Sequence, residues 1–144
     1  MDYLSYFDPL EGEERVQLWN VDFTQNPTTG RTFVGEDFLD KLHTKDKPAY
    51  LDIFDKLDRI TSWDYENAVK SHFFKPIDDG LVEMRISARG GEVRFLGYIS
   101  HATSTPTFNV LCGFRKKSQE IPQKYLSRAL ERREMVNSIR GPTK

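Results

Sequence analysis

Cationic side chains recur at regular spacing in the second half of this 144-residue chain. Arg85 and Arg89 lie in one β-forming stretch, Arg94 in the next, and Arg115, Lys116 and Lys117 close a third. Further on, Lys124, Arg128 and Arg132 follow at i, i+4, i+8 and share one side of a helical stretch. A guanidinium keeps its charge at any relevant pH and holds phosphate oxygens in a planar fork, so a face built from such residues suits phosphate. The net charge of -1 hides this bias: residues 1–80 carry 9 Lys+Arg against 17 Asp+Glu, and residues 81–144 carry 12 against 5. Two readings are open. The basic half presents a positive surface to nucleic acid, or the two halves attract each other within the fold.

The elements that must position these residues follow from hydrophobic period and turn chemistry. Arg15–Phe23, with Val16, Leu18, Trp19, Val21 and Phe23, reads as a first strand that stops at the turn cluster Asn26-Pro27-Thr28-Thr29-Gly30. A short helix from Gly35 carries Phe38, Leu39 and Leu42. A second starts with Asp46 as N-cap and Pro48 in its first turn, and repeats Tyr50, Ile53, Phe54, Leu57 and Ile60 at helical spacing. Its other side holds Asp52, Asp55 and Asp58, a solvated acidic stripe rather than a metal site. After an irregular Lys75–Gly80, the period becomes alternating. Leu81–Arg89, Glu92–Ser100 and Thr107–Arg115 read as three strands of an antiparallel meander, the first pair joined at Gly90-Gly91. Alternation puts Val82, Met84, Ile86 and Ala88 on one face with Val93, Phe95, Gly97 and Ile99 and with Phe108, Val110, Cys112 and Phe114. Glu83, Arg85, Ser87, Arg89, Arg94, Leu96, Tyr98 and Arg115 take the other, open and partly cationic face. A last helix from near Pro122 to about Ser138 buries Leu126, Ala129 and Leu130. The expected fold is α+β, in the order β-α-α-β-β-β-α, with a small antiparallel-rich sheet. Residues 15–140 form one domain, and residues 1–14, ending Glu11-Gly12-Glu13-Glu14, form an acidic N-terminal arm.

Composition excludes several classes. With 38% hydrophobic and 30% charged residues the balance is that of a globular domain, and no apolar run approaches the roughly 18 residues of a membrane span. Met1–Leu10 has neither the basic nor the apolar region of a secretory signal, so the expected location is cytoplasmic. The single cysteine, Cys112, cannot form an internal disulfide and sits in an apolar setting that reads as a buried small side chain. His43, His72 and His101 are scattered and no HxH, HExxH or Cys/His spacing occurs, so no metal or other cofactor is implied.

The stretch Gly80-Leu81-Val82-Glu83-Met84-Arg85, then Gly91-Glu92-Val93-Arg94-Phe95, then Leu111-Cys112-Gly113-Phe114-Arg115-Lys116-Lys117-Ser118-Gln119-Glu120-Ile121-Pro122, followed by Ala129-Leu130-Glu131-Arg132-Arg133, carries a combination of motifs in order. It resembles the phage-derived branch of the RelE/HigB toxin family, with its Gly-Leu-x-Glu-Leu-Arg strand, an arginine opening the next strand, and a Phe-x-Lys-Lys-x-Gln-x-x-Pro segment leading into a final helix. The resemblance spans about residues 34–135.

What the resemblance implies is a toxin of a toxin-antitoxin pair, a metal-independent endoribonuclease that cleaves messenger RNA on the ribosome by attack of a 2'-hydroxyl on the neighbouring phosphate. Its partners would be the ribosome, mRNA and a cognate helix-turn-helix antitoxin, with no membrane. Arg85 and Arg94, on adjacent strands and the same face, would hold one phosphate between them, and Lys116 would neutralise the leaving oxygen or grip ribosomal RNA. Some RelE-type enzymes carry a lysine where this chain has Glu83. The general base is thus open between Glu83 and Tyr98, while Tyr125 reads as packing and His101 lies after the arginine strand. Arg89, Arg115, Lys117, Lys124, Arg128 and Arg132 are the expected RNA- or ribosome-binding residues. Arg85 alone would read as a surface partner of Glu83. A non-enzymatic RNA- or ribosome-binding module, or a phage-derived protein-interaction unit on the same fold, are the alternatives from other classes.

Overall fold

The computed structural model describes residues 18–62, 74–101, 105–117 and 120–140. Strand β1 (Asn20–Phe23) leads through a π-helical turn (Gly35–Leu39) into α1 (Asp40–Lys45) and α2 (Lys47–Ile60). Then come β2 (Phe74–Pro76), a 3-10 turn (Asp78–Gly80), β3 (Val82–Ala88), β4 (Gly91–Ser100), β5 (Thr107–Arg115) and α3 (Gln123–Arg140). The expected N-terminal arm, Arg15 to Gln17 of the expected first strand, and His72 lie outside the described residues.

The fold is α+β. One five-stranded sheet has the order β1-β5-β4-β3-β2, antiparallel from β2 to β5, with β1 added parallel to β5. Sequence reading leaves Lys75–Gly80 irregular; instead Phe74–Pro76 pairs with Val82–Met84 as an edge strand. Pro76 is tolerated there because an edge strand need not donate every N–H to a ladder.

Helix α2 begins as its sequence demands. Asp46 accepts a hydrogen bond from the Ala49 N–H at 3.3 Å, and Pro48 occupies the first turn, where a missing donor costs nothing. Ala49, Ile53, Leu57 and Ile60 make the buried stripe, packed on one sheet face with Trp19, Met84, Ile86, Phe95, Phe108 and Val110. Of the acidic stripe, Asp52 pairs with Lys56 at 3.5 Å and Asp55 with Arg59 at 3.2 Å.

The other face is not open. Helix α3 lies on it, and Leu96, Leu111, Cys112, Phe114, Ala129 and Val136 form a second core there. Layers of helix therefore cover both sides of the sheet. A bulge between Leu96/Gly97 of β4 and Val110–Cys112 of β5 makes this possible: Gly97 pairs with Val110 but Leu96 pairs with Cys112, leaving Leu111 as the extra residue. Strict alternation keeps Cys112 and Phe114 with Phe108 and Val110; the extra residue turns them to the α3 side and turns Arg115 to the α2 side. Gly97 is required at this point. A Cβ on it would stand 1.9 Å from the Asn109 carbonyl oxygen.

Candidate active site

The β3–β4 register sets Arg85 directly opposite Arg94, and Glu83 opposite Leu96, on the α3 face. The side chains join into a ladder of alternating charge. Glu83 Oε1 accepts from Arg85 Nε at 2.9 Å and pairs with Arg94 Nη1 at 2.7 Å. Arg94 Nη2 reaches Glu92 Oε1 at 3.3 Å, and Glu92 Oε2 meets Lys116 Nζ at 3.4 Å. The Lys116 N–H also donates to the Glu92 carbonyl at 2.9 Å, which fixes where the chain leaves β5.

Burial divides the ladder. The Glu83 and Arg94 side chains are 2% and 4% exposed, whereas Arg85 retains 34% and Lys116 21%. The α3 layer causes the difference: Phe114, the cross-strand neighbour of Arg94, stacks flat on Tyr125 of that helix at 4.2 Å. Sequence reading places Arg94 on an open face, and the structure corrects this to a buried guanidinium. A buried ion pair must recover its lost hydration through mutual hydrogen bonds, and here the recovery is incomplete. Glu83 Oε2 and Arg94 Nε are buried with no hydrogen-bond partner among the described residues. The reachable cations of the ladder are Arg85 and Lys116. Arg85 is held through Nε alone, so its terminal nitrogens make no hydrogen bond to any described residue and keep their donors available.

The remaining basic residues divide. Arg115 pairs with Asp46 at 3.0 Å on the opposite face of the sheet. Arg132 binds Asp37 and the Leu111 carbonyl at 2.9 Å, and Arg128 lies 3.7 Å from the same Asp37. Each of these three arginines therefore pairs with an acid of the N-terminal half. Lys124 sits 4.9 Å over the Tyr125 ring, and Arg89 and Lys117 are exposed. Tyr98 is half-buried against the second core, its carbonyl accepting from Asn109 Nδ2 at 3.2 Å, and His101 is exposed. The structure thus brings Glu83, Arg85, Arg94 and Lys116 together, and sets Arg115 apart. Glu92, the residue that links Arg94 to Lys116, is not singled out by sequence; its one signal is its position beside Arg94 at the start of β4. Cys112 is buried, which pushes its thiol up to about 11. Among the described residues no group of three or more His, Cys, Asp or Glu is placed to hold a metal ion, and no helix is long and apolar enough to cross a membrane.

The profile of the family described as "Phage derived protein Gp49-like (DUF891)" matches residues 37–134, a span that contains the whole ladder. The chain belongs to this family. Its family is thus one of phage-derived proteins, consistent with a toxin-like module. The Gp49-like match starts at the π-helical turn and ends within α3, so β1 lies outside it while Asp37, the acid that anchors Arg128 and Arg132, lies inside. No curated protein and no solved structure matches the chain.

Proposed function

We propose that this Gp49-like protein is a toxin of the RelE/HigB type that cleaves messenger RNA on the ribosome and is restrained by a cognate helix-turn-helix antitoxin. The observation that carries the reading is the ladder itself, with two partly exposed cations, Arg85 and Lys116, held on one face by acids that are themselves anchored to Arg94. In such a reaction the 2'-oxygen attacks the adjacent phosphorus, the bond to the 5'-oxygen breaks, and the phosphorane between them gains negative charge. A cyclic 2',3'-phosphate and a free 5'-hydroxyl result.

Arg85 is the group suited to grip the phosphoryl oxygens with its terminal nitrogens, and Lys116 the one suited to neutralise the leaving oxygen. Arg94 is too deeply buried to touch RNA in this conformation. Together with Glu83 it serves as a positioning residue that holds Arg85 in place without reorganisation during the reaction. Glu83 directs its bound oxygen at two guanidiniums, which favours this holding role over proton abstraction. Tyr98 retains partial exposure on the same face, where it can stack on a base or orient a proton.

The test is induced expression of the wild-type chain, with mapping of mRNA ends and recovery when the antitoxin candidate is co-expressed. Ribosome-dependent cuts within translated messages, lost in Arg85→Ala, support the reading. RNA binding without cleavage on ribosomes would replace it with a non-enzymatic binding module.

A further inference from the structure

A concave surface lies on the other side of the sheet from the ladder. A cleft of about 460 Å³ is lined by Asp37, Phe38, Lys41, Leu42, Lys45, Asp46, Gly90 and Arg115, between α1 and the β3–β4 hairpin. Its size falls in the range of ordinary ligand sites. Both acids in its wall are already engaged, Asp37 by Arg132 and Arg128, and Asp46 by Arg115 and as the N-cap of α2. Lys41 and Lys45 are exposed, stand i, i+4 on one side of α1, and make no ion pair with any described residue. The uncompensated charge of the cleft is therefore positive. Phe38, half-buried and edge-on to Phe95 at a centroid distance of 6.4 Å, adds an aromatic face beside it.

We propose that this cleft is a second RNA subsite, in which a base stacks on Phe38 while its flanking phosphates meet Lys41, Lys45 and Arg115. The inference rests on the RNA-cleaving reading and extends it to a nucleotide beyond the scissile phosphate. What ties the two places together is the end of β5. Arg115 and Lys116 are consecutive, so alternation sends them to opposite faces, Arg115 to Asp46 in the cleft and Lys116 to Glu92 in the ladder; the bulge at Leu111 sets which of the two takes which face. A strand of RNA that leaves the ladder past Lys116 and Lys117 runs round the end of the sheet directly onto Arg115. The hairpin turn beside that path is Arg89–Gly90, followed by Gly91 at the start of β4; the two glycines have φ of 86° and 146°, and a Cβ on Gly90 would lie 3.5 Å from Arg115 Nη1. A polynucleotide is favoured over an acidic peptide by this continuity of cations and by the ring, since stacking is open to every base.

The test uses the purified full chain and a 2'-O-methylated single-stranded RNA of about a dozen nucleotides, which binds but offers no 2'-hydroxyl for attack, titrated by fluorescence anisotropy over a range of salt. The double variant Lys41→Ala/Lys45→Ala removes two exposed side chains away from both cores. It is expected to weaken binding roughly 10-fold near 0.1 M salt and to lower the slope of log Kd against log salt by about 1.4, or about 0.7 for each phosphate no longer neutralised. Phe38→Leu, with its thermal midpoint measured alongside, is expected to weaken binding by roughly five-fold or more while leaving the salt slope unchanged. Wild-type affinity and slope in the lysine double variant overturn the proposal, and so does displacement of the RNA by poly-glutamate of equal charge at equal concentration. Absence of ribosomal cleavage by the wild-type chain, with these binding losses intact, ends the toxin reading and leaves the RNA subsite standing.

Discussion

Removing the Arg94 side chain should cost the fold as well as any activity. Alternation alone sets Arg94 on an open surface, where truncation to alanine would be nearly silent for stability. In the structure its side chain is 4% exposed and its Nη1 lies 2.7 Å from a Glu83 that is 2% exposed. An exposed pair would contribute at most about 1 kcal/mol. Deleting one member of a buried pair costs roughly 3–5 kcal/mol, because the remaining charge is left desolvated. Glu83 keeps Arg85 at 2.9 Å, which places Arg94→Ala near the lower end, about 3 kcal/mol. For a domain of this size that is a large part of its total stability and corresponds to a fall in Tm of roughly 10 °C. Equilibrium urea denaturation of the wild type, Arg94→Ala, Glu83→Gln and the double variant measures both the loss and the coupling. The double variant should be less destabilised than the two single losses added together, since it strands no full charge. A loss below about 1 kcal/mol for Arg94→Ala, or simple additivity in the cycle, would refute the claim that a desolvated pair holds this face together.

Three further outcomes are expected. Arg85→Ala should lower single-turnover mRNA cleavage on saturating ribosome complexes by roughly 10²-fold, and Arg85→Lys should recover little, while urea midpoints change only slightly; wild-type rates in both remove Arg85 from the site. Cys112 should resist iodoacetamide in the native protein and react on unfolding. Because its folded thiol is raised from 9.0 to about 11, the stability it contributes is present below pH 9 and is lost as pH rises through 11, so the gap between wild type and Cys112→Ala should narrow over that window in denaturation curves. Asp46→Ala should lower stability by about 1–2 kcal/mol, with Asp46→Asn recovering most of it because the amide oxygen still caps Ala49; equal losses in thermal unfolding would show that the Arg115 pair rather than the cap is what matters.

Much of this protein is determined locally and is legible in its sequence. The N-cap at Asp46, the buried stripe of α2, the existence of the β3–β4 hairpin and the span of β5 follow from period and turn chemistry, which involve only residues near one another in the chain, although the hairpin turn falls at Arg89–Gly90, one residue before the expected Gly90-Gly91. The same holds for Arg85 and Arg94 sharing a face, since a two-residue turn and a period of two leave little freedom in the register. Tertiary structure decided the rest. Alternation cannot reveal an extra residue, so the bulge at Leu111 silently reverses every side chain after it, sending Arg115 away from the ladder and Cys112 and Phe114 toward α3. Whether a polar face meets water depends on what packs over it. Helix α3, remote in sequence from β3, converts Glu83 and Arg94 from surface charges into a buried pair, and supplies arginines that neutralise Asp37. Residue types name the charges present in a chain, but the pairing of those charges is a property of distances between segments, and only the packed fold sets them.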